Sequence, residues 1–176
     1  MFLLAGCGGS DGETSSADPT SAAESTTSPA AASLVGEWER ETTCAELVAA
    51  LRAAGLEKFT LEFVAGNGFV PRVRSPDQIA DPHQPCRGAV PRKHSHFFTE
   101  GGRFRSRDWN GDDVDDGRYR VSGDELVISK EFPDVTFRYR IEGDSVTFEP
   151  AIPVGCSTFR CAWSVSMAYP GKKWSR

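Results

Sequence analysis

Three stretches decide the fold: HSHFFTEGGRFRSRDW (94–109), GRYRVSGDELVISKEF (117–132) and VTFRYRIEGDSVTFEP (135–150). In each, two runs that alternate apolar with polar residues flank a short Gly-containing turn, EGG in the first and GD in the other two. Alternation places successive side chains on opposite faces of a strand, and a Gly turn reverses the chain. Three such units in series predict an antiparallel meander.

Upstream, LVGEWERE (34–41) reads as one more strand and FTLEFV (59–64) as another, with Phe59, Leu61 and Phe63 on one face. Between them CAELVAALRAAGL (44–56) has helical spacing at Leu47, Val48, Leu51 and Ala54, with Thr43 to cap its start and Gly55 its end. Downstream, CAWSVSMAY (161–169) reads as the last strand. The sum is eight or nine strands and one early helix. An antiparallel sheet of that size twists and closes on itself, so the expected class is mainly β, an up-and-down barrel over residues 34–176. A Pro- and Gly-rich loop fills 65–93.

Gly36-Glu37-Trp38 in the first strand resembles the Gly-x-Trp of lipocalins and fatty-acid-binding proteins, the calycin group. The order of elements over 35–169, strand, short helix, then hairpins, is similar to the fatty-acid-binding branch. The resemblance implies a barrel that holds one small apolar or amphipathic ligand, with Trp38 packed at a closed end. With the inward faces assigned by alternation, Trp38, Phe63, Phe137 and Tyr139 are the expected ligand contacts. The segment 161–169 carries no Arg for a ligand carboxylate, and only PGKKWSR (170–176) remains where lipocalins have their main helix.

The N-terminus reads differently. Leu4-Ala5-Gly6-Cys7 resembles the bacterial lipobox, which makes Cys7 the expected attachment point for acyl chains and residues 1–7 the end of a lipoprotein signal peptide. No Lys or Arg precedes Cys7, which suggests a start placed too late or a trimmed signal. Residues 8–33 lack aromatics, Val, Ile and Leu, and so lack the apolar surface to offset chain entropy. They form the expected disordered tether, with a span of about 25–30 Å. The expected location is the extracytoplasmic face of a bacterial membrane.

That compartment suits disulfides. Beyond Cys7 the chain has Cys44, Cys86, Cys156 and Cys161, for which three connectivities are open. Cys44–Cys86 with Cys156–Cys161 is favoured, since the second closes the short loop CSTFRC and the first pins the Pro-rich loop to the element around Cys44.

The net charge of −5 excludes nucleic acid as the main partner, because phosphate binding needs a basic surface. The arginines of RFRSR, RYR and FRYR alternate with apolar residues, so they form an outer stripe, more simply a solvated face paired with Asp and Glu than a glycan or headgroup site. The acidic run DWNGDDVDDG (108–117) fails the calcium-loop pattern, with Asp113 and Tyr119 at its sixth and twelfth places. His94 and His96 share a strand face and are expected to be exposed. A zinc or copper site there, with His83 as third ligand, is the minor reading.

No nucleophile motif is present, so no catalytic residue, metal or cofactor is assigned. The expectation is a monomeric, membrane-anchored ligand-binding barrel. The alternative is a structural or interaction lipoprotein whose barrel is filled by its own side chains, and a metal-dependent enzyme ranks third. A ligand barrel should enclose roughly 300 Å³ or more.

Overall fold

A computed structural model describes residues 33–107, 110–129 and 134–176. Cys7, the signal-peptide remnant and nearly all of the tether lie outside the described residues, as does Asp108. Eight antiparallel strands run in chain order around a closed barrel: β1 Gly36–Thr42, β2 Arg92–Phe98, β3 Arg103–Arg107, β4 Asp113–Ser122, β5 Glu125–Ser129, β6 Val135–Glu142, β7 Ser145–Pro150 and β8 Lys173–Ser175. Each pairs with the next, and β8 closes the ring on β1 through Glu39 opposite Ser175. The three hairpins read from the sequence are β2–β3, β4–β5 and β6–β7. Gly123 and Gly143 stand first in the two Gly-Asp turns with φ of 62° and 59°. Primed hairpin turns need that positive φ, which glycine adopts without a Cβ clash.

Alternation decides what the barrel encloses. Trp38 faces His96, and Phe98 faces Phe104, on the inner side of β1, β2 and β3. Leu126, Ile128, Phe137, Tyr139, Val146, Phe148 and Trp174 complete an apolar interior. The outer side carries the arginines. Arg103 pairs with Asp115, Arg105 with Asp113 at 3.0 Å, Arg107 with Asp113 and Glu37, and Arg120 with Asp134 at 2.7 Å. The stripe is a cross-strand ion-pair lattice, as the solvated-face reading expects.

One end of the barrel holds the three hairpin turns and the chain's entry at Leu34. The other is capped by helices inserted between strands: α1 Cys44–Ala53 and α2 Thr60–Gly66 after β1, and α3 Phe159–Ala168 between β7 and β8. The α1 start is a reciprocal cap, the Glu46 amide donating to Thr43 Oγ1 at 3.2 Å and the Thr43 amide to Glu46 Oε2 at 3.0 Å. Gly55 follows its end at φ 70°.

Two strand expectations are corrected. FTLEFV is not a strand: Glu57–Phe59 is a 3-10 turn and Thr60–Gly66 is α2. Thr60, Phe63 and Val64 are buried together, a spacing of three and four, and both edges of β1 are already taken by β2 and β8. A six-residue apolar run fits either period, so the lack of a free edge decides. CAWSVSMAY is α3, not a strand, with Cys161, Ala162, Val165 and Ala168 buried on one side. The eighth strand is instead Lys173–Ser175, within the segment read as a tail. Both favoured disulfides are present, Cys44–Cys86 tying α1 to the long loop and Cys156–Cys161 spanning the start of α3.

Candidate functional site

The four expected ligand contacts do not meet around one cavity. Trp38 plugs the hairpin end, where its Nε1 donates to the Leu34 carbonyl at 2.8 Å and the Arg176 guanidinium lies 4.2 Å over its ring. Phe137 points inward at mid-barrel. Tyr139 also points inward, and its hydroxyl donates to the Gly123 carbonyl at the hairpin end. Phe63 is outside the barrel altogether, on α2, stacked 5.1 Å from Phe159 of α3.

The barrel centre is closed by ring contacts. His96 stacks on Trp174 at 4.0 Å and meets Phe104 and Phe148 at 5.4 and 5.9 Å, while Phe98 lies 4.9 Å from Phe104. The space left among His96, Phe98, Phe137, Phe148 and their neighbours is about 10 Å³, no more than one water needs.

Open volume lies at the helix-capped end, where one pocket of about 200 Å³ is bounded by Glu46, Ala49 and Ala50 of α1 with Tyr169, Pro170 and Lys172. A pocket of about 140 Å³ is bounded by His94, Ser95 and His96 of β2, Ser106 and Arg107 of β3, Gly66 and Asn67 at the end of α2, and Ser166 and Met167 of α3. His94 and His96 share a face, as their spacing of two requires, but that face is the interior; the expectation of exposed histidines is corrected. Burial alone accounts for most of a fall in the His94 pKa to about 4, with the Arg40 charge adding to it, and His96 falls to about 3 for the same first reason. Both are neutral imidazoles at neutral pH. His83, the suggested third ligand, is exposed in the long loop.

A polar network surrounds the pocket. Ser106 Oγ donates to Asp116 Oδ2 at 2.5 Å, and Asp116 is buried because a bulge opposite Phe104 and Arg105 adds one residue to β4. On the α1 side Arg40 pairs with Glu46 at 2.7 Å and lies 5.3 Å over the buried Tyr169 ring, with Lys172 reaching Glu46 at 3.3 Å. Burial would raise the Glu46 pKa, but hydrogen bonds from Arg40 and the Thr43 amide hold it below the usual carboxylate value. Burial pushes the Tyr169 hydroxyl up.

The sequence reading missed Ser106, Asp116, Asn67, Met167 and Trp174. Ser106 was detectable as a polar residue at an inward place in RFRSR. Met167 and Trp174 were not, because they depend on α3 and β8. Among the described residues no group of three His, Cys, Asp or Glu comes together. No protein-family model, curated protein or solved structure matches the chain.

Proposed function

We propose that this chain is a lipid-anchored protein of the extracytoplasmic face of a bacterial membrane, whose lipocalin-like barrel is a rigid interaction head and not a carrier of large apolar ligands. Cys7 bears the acyl chains and residues 8–33 tether the head. The tether joins at Leu34, on the hairpin end, so the helix-capped end is the one farther from its attachment. One observation carries the barrel's role: the inward aromatics contact one another and leave about 10 Å³, against the roughly 300 Å³ of an ordinary ligand cavity. The pocket of about 140 Å³ beside His94 and His96 has room for only a few heavy atoms.

Two measurements test this reading. Replacing Cys7 by Ser in the full precursor should release the protein from salt-washed membranes, since each buried methylene of an acyl chain contributes about 0.8 kcal/mol to attachment. Retention of the variant on membranes argues for another anchor. An apolar fluorescent probe should show no saturable binding to the folded protein. Saturation near one probe per chain would restore the carrier reading.

A further inference from the structure

Several polar groups around the helix-end pocket direct protons away from it. The Ser106 hydroxyl spends its proton on Asp116 at 2.5 Å and the Ser166 hydroxyl on the Trp163 carbonyl at 2.9 Å. Asn67 Nδ2 donates to the Phe63 carbonyl at 2.7 Å. Thr42 Oγ1 lies 3.2 Å from the Arg92 carbonyl and 3.3 Å from His94 Nδ1. Nε2 of His94 makes no hydrogen bond to a described residue, since the ring's one such contact is at Nδ1. His96 is 5% exposed, lines the same pocket, and its ring makes no hydrogen bond to another described residue. A ring nitrogen that borders the pocket without a protein partner is open to a ligand there.

The charge of the wall narrows what that something is. Asp116 stands behind Ser106 and is not part of the lining, and Arg107 is already paired with Asp113 and Glu37 and lies 4.8 Å over the Phe97 ring. Apart from Arg107, the side chains of the lining are neutral, and its strongest metal donors are two imidazoles and the Met167 thioether. Hard cations such as Ca²⁺ and Mg²⁺ need carboxylate oxygens, and structural zinc sites use four ligands that are commonly thiolates. Thioether with imidazole is the donor set that suits Cu(I).

We propose that this pocket is a site for a soft monovalent metal ion, Cu(I), held by the imidazoles of His94 and His96 and the thioether of Met167. The proposal goes beyond the interaction-head reading, which stands if the metal does not bind.

The test uses the full chain with Cys7→Ser, which removes the one cysteine outside a disulfide. Ag(I), a redox-inert stand-in for Cu(I), is titrated in chloride-free buffer at pH 7. One equivalent should bind at micromolar or lower concentration, quenching tryptophan emission because Trp174 stacks on His96. The Met167 methyl resonance should shift while that of Met1 does not. Met167→Leu, close in volume, should weaken binding at least tenfold and leave the metal-free melting temperature unchanged. Absence of binding, an unshifted Met167 methyl, an affinity unaltered by Met167→Leu, or equal affinity for Zn(II) would each overturn the assignment.

Discussion

His96 and Trp38 show how much one side chain decides here. His96 is held neutral in the folded barrel, whereas in the unfolded chain it titrates near 6.5. Below pH 6.5 the unfolded chain therefore binds protons that the folded one refuses, and folding stability must fall as pH drops toward 4. His94 acts in the same direction, each residue contributing a slope of about 1.4 kcal/mol per pH unit. Denaturant titrations at pH 7.5 and 5 should register this loss, and His96→Phe, whose ring suits the cage of Phe104, Phe148 and Trp174, should roughly halve the slope. A stability that is flat over this range would contradict the burial of both rings. Trp38 is fully buried under Arg176, so Trp38→Ala should cost about 3–5 kcal/mol, and Arg176→Ala about 0.5–1 kcal/mol for an exposed cation over a ring.

At the scale of elements, the three hairpins were legible because alternation and Gly turns are local signals, and each forms where its pattern places it. The α1 helix was legible for the same reason, down to its cap. Thr43→Ala removes the hydroxyl that accepts the Glu46 amide and should cost about 1 kcal/mol in thermal or denaturant unfolding, whereas Thr43→Ser should be nearly neutral. The two misread segments share a cause. FTLEFV and CAWSVSMAY have a period of two in hydrophobicity, yet Thr60, Phe63 and Val64 in the first and Ala162, Val165 and Ala168 in the second also satisfy a helical stripe. Small residues let α3 settle against the barrel, with Trp174 Nε1 donating to the Ala168 carbonyl at 3.2 Å. Whether such a run becomes strand or helix depends on a free sheet edge, and none was open.

The whole molecule is stapled twice, with unequal effect expected from each staple. Cys44–Cys86 closes a loop of separation 42 and Cys156–Cys161 one of separation 5. In the chain-entropy model these limit the unfolded ensemble by about 4 and about 2 kcal/mol. The Cys44→Ala/Cys86→Ala double variant should thus lose about twice the stability of Cys156→Ala/Cys161→Ala in urea unfolding; the reverse order would show that the long loop keeps its place without the bridge. What the sequence determined by itself was the barrel, because alternation, turn chemistry and an even set of cysteines act over a few residues or through composition. It also placed His94 and His96 on one face. It left undetermined which face that was, whether the barrel is filled, and what completes the pocket. Those depend on the last closure, where three residues of β8 pair with β1 and β7, bring Trp174 onto His96, and leave α3 to carry Met167 over the opening. Contacts between residues so far apart along the chain have no signature in local pattern, since only the closed ring brings them within reach.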